Sequence, residues 1–357
     1  MNRRSDVVVR HVRGGRAVTI GSLQDQTGGC TFVPCGVVLA GDRAAYWYEV
    51  GALNLFRTLF TASVPGLDEQ KLETLGRSPA PGGDQGDHLV GPAGDGRLLV
   101  YGVTTVEAVD PRHVRISGGK VVRLVAGRPR RVPGVGPAAL LDVAAGRLAV
   151  VPAVRRAHTG GGGVELRDAR SGVLLRTIRF GGTPAGLALS GRIAAVLLQR
   201  NPPRIERYAI ATGNRLATTT LPAMPIGGID ASLDTVVFQR AKAVWMVDAT
   251  GRVRRLAQTP GTLVGASIEG RRVAWAENRG GRGYVRALTA PVSDALRRTV
   301  WEETEARRRG GVPVGTGFPP TRVPDGSLAD STCSPRRARC PPRRRAGVRM
   351  GVRACLR

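Results

Sequence analysis

Apolar positions along this chain come in short runs, each cut by a turn of small or polar residues, and two kinds of run recur in a fixed order. The first is a turn followed by an apolar strand: GDRAAYWY from Gly41, GDGRLLVY from Gly94, AGRLAVV from Ala145, SGRIAAVLL from Ser190, SLDTVVF from Ser232 and GRRVAWA from Gly270. The second is a hairpin of two alternating strands: VRISGGKVVRLV from Val114, VELRDARSGVLLRTI from Val164, IERYAIATGNRLATTTL from Ile205 and VWMVDATGRVRRLA from Val244. Each hairpin has Gly where a tight turn needs positive φ. The spacings agree: Gly172 to Gly213 is 41 residues and Gly213 to Gly251 is 38, while Arg192 to Asp234 is 42 and Asp234 to Arg272 is 38. Two markers that hold one register over successive copies define a repeat of about forty residues, the size of a four-stranded β-propeller blade.

A small-residue segment precedes the first marker in several copies: GTPAGLALS from Gly182, MPIGGIDAS from Met224 and GTLVGASIE from Gly261. Small side chains suit an inner strand beside a crowded axis, which completes a four-stranded unit. The expected fold is all-β, a propeller of about six blades (six or seven) with units at 31–87, 88–135, 136–181, 182–222, 223–260 and 261–292. The first unit carries a long polar insertion around DEQKLETLGRSPAPGGDQGDH. The last has no closing hairpin, whereas residues 5–22, centred on VVVRHVRGGRAVTI from Val7, form a hairpin with no inner partner. Pairing the two would bury both open edges and close the ring. The other reading makes that hairpin the remnant of a further blade.

After Pro291 the strand pattern stops. Residues 293–309 predict a short helix, with Ser293 as N-cap and Glu303/Arg307 and Glu305/Arg309 at i,i+4 spacing. Residues 310–357, rich in Arg and Pro, are expected to be disordered. They read either as an arginine-rich arm for anionic surfaces or as a frameshifted or unselected translation of GC-rich DNA. The second is preferred, because selected basic tails more often mix Lys with Arg.

Composition changes this picture little. Across 357 residues, an apolar share of 42% suffices for a core, while 49 Gly and 24 Pro fit many turns. The net charge of +27 suggests a nucleic-acid partner until its carriers are counted: of 54 cationic residues only Lys71, Lys120 and Lys242 are lysines. That skew follows from GC-rich coding, and no basic stripe with interleaved aromatics stands out, so nucleic acid is not an expected partner. The N-terminus lacks the apolar run of a signal peptide and no stretch is long enough for a membrane span. As written the chain reads as a monomer without an export signal, cytoplasmic unless the start lies upstream, in which case it is extracytoplasmic.

Candidate chemistry is sparse. Cys30 and Cys35 read as a local disulfide in an exported chain and otherwise as two thiols in a loop; Cys333, Cys340 and Cys355 lie in the tail. Neither group has zinc-ligand spacing, and His11, His88, His113 and His158 are scattered outside any nucleophile motif. The glycine run Gly160–Gly163 lacks the Lys-Ser/Thr of a phosphate loop and reads as an inter-strand loop. Asp168 and Asp248 precede turn glycines, where a carboxylate accepts backbone N–H groups of the turn. Trp47, Trp245 and Trp275 lie in strands and read as packing between blades. No catalytic, cofactor-binding or metal-ligating residue is singled out, and no cofactor is implied.

The strings VELRDARSGVLLRTI and VWMVDATGRVRRLA resemble the blades of bacterial WD-repeat-like, TolB-like and pyrroloquinoline-quinone-like propellers, in which a strand ends in Asp, then a Thr-Gly or Ser-Gly turn, then the outer strand. The likeness covers about residues 5–292. It departs from WD repeats in lacking Gly-His and Trp-Asp pairs, and from quinoprotein dehydrogenases in lacking a regularly placed Trp, so cofactor binding does not carry over. The absence of a catalytic constellation in the sequence fits a non-catalytic binding or scaffold protein that offers a face or central channel to a protein, peptide or glycan. The alternative is a propeller lyase or hydrolase with a site assembled from loops of several blades. A cluster of His, Asp, Glu or Tyr at the mouth of the channel would favour the enzyme; a mouth lined with Gly, Ala and Arg would favour the binder.

Overall fold

The computed structural model describes residues 4–9, 18–24, 36–50, 54–64, 68–80, 83–96, 98–110, 113–153, 162–279 and 282–290. The five cysteines, His11, His158, the helix expected at 293–309 and the tail at 310–357 lie outside them. All described residues with regular structure are strands, and every ladder is antiparallel between sequence neighbours.

β1 (Arg4–Val9) and β2 (Val18–Gln24) form a two-stranded sheet. β3 (Gly36–Ala40), β4 (Arg43–Val50), β5 (Leu55–Ser63), β6 (Gln70–Ala80), β7 (Gly83–Asp95), β8 (Leu98–Asp110), β9 (His113–Val125) and β10 (Arg128–Arg131) form one eight-stranded sheet. Three four-stranded sheets follow. They are β11 (Ala138–Ala144), β12 (Arg147–Pro152), β13 (Gly162–Asp168), β14 (Leu174–Phe180); then β15 (Thr183–Leu189), β16 (Ile193–Gln199), β17 (Arg204–Ala209), β18 (Arg215–Thr220); then β19 (Ile226–Ser232), β20 (Thr235–Arg240), β21 (Ala243–Val247), β22 (Val253–Gln258). The last sheet has three strands, β23 (Thr262–Glu269), β24 (Arg272–Arg279) and β25 (Arg282–Thr289).

Two features differ from the sequence expectation. The polar insertion after residue 67 is strand: Arg77–Ala80 of β6 pair with Gly83–Gly86 of β7, and this short ladder fuses two blade-sized groups of strands into one sheet. Arg77 pairs with Asp84 across this ladder at 2.7 Å, while Leu75, earlier in β6, is buried beside β5. The N-terminal hairpin forms, but β1 and β2 pair only with each other and make no ladder with β25 among the described residues. β25 pairs with β24 along one edge, and its other edge carries no ladder among the described residues.

The turns form as the glycines dictate. Gly172, Gly213 and Gly251 stand at equivalent tips between the third and fourth strands of three successive sheets, with φ of 75°, 77° and 87°. At Gly172 the restriction is doubled, because a Cβ would lie 1.9 Å from the Pro133 carbonyl oxygen. Asp168 Oδ1 accepts the N–H groups of Arg170 (3.1 Å) and Ser171 (2.7 Å), and Asp248 Oδ1 those of Thr250 (3.0 Å) and Arg252 (3.1 Å), the turn role read from the sequence.

The core is a series of layers between sheets rather than one central mass. Val164, Leu166, Ile178 and Phe180 of one sheet meet Leu187, Leu189, Val196 and Leu198 of the next; Ile193, Leu197 and Ile205 meet Val236, Phe238 and Val247; Val237, Val244 and Met246 meet Leu263, Val273 and Trp275. This explains the unbroken apolar run of β16. Ile193 to Leu198 are all buried because each face of the strand has a neighbouring sheet against it.

Arginines tie neighbouring sheets at the turn tips. Arg176 of β14 donates to the carbonyls of Thr212 (2.7 Å) and Ala211 (3.0 Å), and buried Arg207 of β17 donates to those of Asp234 (2.9 Å), Asp248 (2.8 Å) and Ala249 (3.2 Å). Antiparallel sheets arranged in sequence about a common centre, three of them four-stranded, make this an all-β propeller repeat protein.

Candidate functional site

The first strand of each group, β3, β7, β11, β15, β19 and β23, packs on the next; β3, β11, β15, β19 and β23 are mostly small and apolar, and β7 is so over Leu89–Gly94. All six line one cavity of ≈ 500 Å³, together with Trp47 of β4, Trp275 of β24 and Val285 of β25. Small side chains let six backbones approach one axis, and the space they leave is the cavity. Its wall is mostly Val, Leu, Ile, Ala and Gly. Gly265 presents open space in the direction a Cβ would take.

Two charged side chains face this apolar wall, Asp142 of β11 and Asp230 of β19. Their positions are equivalent: Asp142 lies two residues before Ala144, which pairs with Arg147 across the first hairpin, and Asp230 two before Ser232, which pairs with Thr235. Each carboxyl bridges to the next sheet. Asp142 Oδ2 accepts the Leu189 N–H (2.6 Å) and Oδ1 that of Val143 (2.8 Å); Asp230 Oδ2 accepts the Ile268 N–H (2.8 Å) and Oδ1 that of Ala231 (2.8 Å). Shielding from bulk water, the charge of Asp230 and, more weakly, that of Asp95 push the Asp142 carboxyl up to about 8 against its two N–H donors. Burial alone pushes Asp230 up to about 6.

The residues weighed from sequence fall mostly elsewhere. His88 lies in β7 off the cavity wall, and His113 is an exposed side chain beside Asp110 at 2.8 Å. Gly162 and Gly163 of the glycine run begin β13. The Asp168 carboxyl is held low by the N–H and hydroxyl of Ser171 in its turn, away from the cavity. Trp245 packs with the Phe238 layer. Trp275 joins an inter-sheet layer, as read, but both it and Trp47 also border the cavity. Asp142 and Asp230 were not singled out, although one signal was present: a lone acid at the same offset before the turn in two otherwise small-residue inner segments.

Among the described residues no group of three or more His, Cys, Asp or Glu is placed to hold a metal ion, and no helix is long and apolar enough to cross a membrane. No protein-family model and no curated protein matches the sequence. Among solved structures the chain is similar to BamB from Moraxella catarrhalis, with 12% identity over 76% of this chain and 91% of that one, at a TM-score of 0.39. It is similar also to the β-propeller domain of the Trilobed protease from Pyrococcus furiosus, with 8% identity over 76% of this chain and 98% of that one, at a TM-score of 0.42. A third likeness is to the acylaminoacyl peptidase of Pyrococcus horikoshii, with 9% identity over 76% of this chain and 54% of that one, at a TM-score of 0.40.

Proposed function

We propose that this chain is a non-catalytic binding protein, a ring of six blades over residues 36–290 that takes its ligand in the axial cavity. The observation that carries this reading is the convergence of six inner strands on one cavity of ≈ 500 Å³ with a largely apolar wall and few polar groups, the build of a small-molecule pocket. The occupant is a small molecule, or the end group of a protein, peptide or glycan that reaches in from a face. Gly265→Phe tests this, since Gly265 lines the cavity and a Cβ there meets nothing within 4 Å, so the added side chain starts into open space. Ligands that raise the melting temperature of the parent and not of Gly265→Phe support the reading; ligands that act equally on both place the site outside the cavity and overturn it.

The alternative, a propeller enzyme, draws on one specific observation. Two carboxyls with separated proton affinities share the cavity, an arrangement suited to general acid and base roles. Turnover of a bound compound that Asp142→Asn abolishes while binding persists would decide for it.

A further inference from the structure

The nature of the ligand follows from the chemistry of the same cavity, and this step rests on the binding reading above. The wall carries charge of one sign only. Among the described residues its ionisable side chains are Asp142 and Asp230, with no described Lys, Arg or His on the lining, in a chain whose net charge is +27. Each carboxyl oxygen spends one acceptor direction on a backbone N–H, which positions the group and leaves the charge without a cation. Burying a carboxylate in apolar surroundings with no counter-charge is costly unless a proton or a ligand cation joins it.

Two further side chains point the same way. Trp47 and Trp275 border the cavity, and indole faces attract cations electrostatically. Trp275 is only 7% exposed, and among the described residues its Nε1–H has no hydrogen-bond acceptor. Two acids on an otherwise apolar wall make a poor cage for a hydrated metal ion, which wants more oxygen ligands. They suit an organic cation, whose carbon body can lie against Leu141, Leu187 and Ile229.

We propose that the axial cavity binds a small organic ammonium ion that also carries a hydrogen-bond acceptor, its charged nitrogen against Asp142 and Asp230 and its body against Trp47 and Trp275. The protonated amine donates N–H bonds to the carboxylate oxygens, and a proton held on Asp142 leaves to the buffer as the cation enters. The charged groups acting on Asp142 are Asp230 and Asp95, both acidic, so nothing in its surroundings competes with the ligand for this role.

The test is calorimetric titration of the full chain with 4-amino-1-butanol, with 1,4-butanediol as a neutral probe of the same size. The amine should bind at least about tenfold tighter than the diol, the scale of one charge-assisted contact. Its heat at pH 7 should vary with the buffer in the sense of proton release. Asp142→Asn and Asp230→Asn should each weaken the amine about tenfold and leave the diol unchanged, and Gly265→Phe should abolish both. If the diol binds as tightly as the amine and only Gly265→Phe matters, the cavity reading stands and the ammonium proposal fails. Amine binding that survives Gly265→Phe overturns the cavity reading itself, and the absence of binding by either probe overturns the proposal. Should Asp142→Asn not fold, Asp230→Asn and the proton release of the parent protein carry the same decision.

Discussion

The buried acids should make stability fall as pH rises, against the usual direction for carboxylates, and Asp142→Asn should remove most of this dependence. Both carboxyls have folded-state proton affinities above the unfolded value of 3.8, Asp142 at about 8 and Asp230 at about 6. Between those limits the folded state holds protons that the unfolded state has released. The contribution to stability is therefore full below pH 4 and is lost as pH climbs through about 6 and then about 8. Each tenfold difference in proton affinity is worth about 1.4 kcal/mol, so from pH 5 to pH 8 Asp142 removes on the order of 4 kcal/mol and Asp230 on the order of 1 kcal/mol. Asp168 and Glu277 are shifted the other way, but their contribution is present above their ordinary values and lost only in acid, outside this window. Asparagine at 142 keeps the shape and cannot ionise, but its amide nitrogen replaces one of two oxygens that accept backbone N–H groups, at a cost of about 1–3 kcal/mol. At pH 5 that cost is roughly matched by the about 1.6 kcal/mol that ionisation of Asp142 in the unfolded chain takes from the parent, so the two should be nearly equal there, and the variant more stable by a few kcal/mol at pH 8. Reversible urea unfolding followed by tryptophan fluorescence at both pH values reads the difference. A variant that loses as much stability at pH 8 as at pH 5 would refute the reasoning.

Gly172→Ala should destabilise by at least about 2 kcal/mol, because positive φ and a clash with the Pro133 carbonyl act together. Gly270→Ala, at a φ of 59° but with open space around its Cβ position, should cost only about 1 kcal/mol in the same denaturation assay. Arg207→Lys should fail to rescue the loss seen in Arg207→Ala, since one ammonium cannot meet the three carbonyls that the planar guanidinium spans; equal melting temperatures for Lys and the parent would contradict this. Leu198→Ala, in a strand buried on both faces, should lower stability by about 2–5 kcal/mol, measured by calorimetry.

What could be read from sequence is what the repeat writes into every copy. Positive φ at Gly172, Gly213 and Gly251 is a local demand, and the apolar run of β16 reports its two packed faces directly, so both stand out in one dimension. The fused ladder between β6 and β7 does not, because its paired residues are mostly polar or small and show no apolar alternation, with the Arg77–Asp84 pair across it. The cavity is less legible still. Asp142 and Asp230 sit two repeats apart, and each alone resembles an ordinary strand acid. Only the common axis of the inner strands brings them to one space, and only there does the lack of a neighbouring cation acquire meaning. Trp47 and Trp275 were legible as strand residues packed between sheets but not as cavity walls, since that depends on which neighbours the ring places before them.

The arginine ties between sheets bear on how such a repeat drifts. Their acceptors are backbone carbonyls at matching places in successive turns, Ala211 and Ala249, while the donors come from different strands, Arg176 on the fourth and Arg207 on the third. A carbonyl survives any substitution at its own residue, so half of each joint is immune to point mutation. The other half can be supplied from whichever strand comes within reach, and lost there once another position supplies it. Copies joined in this way are free to diverge in sequence while the angle between neighbours stays constrained, which lets a ring persist long after its repeats have stopped looking alike.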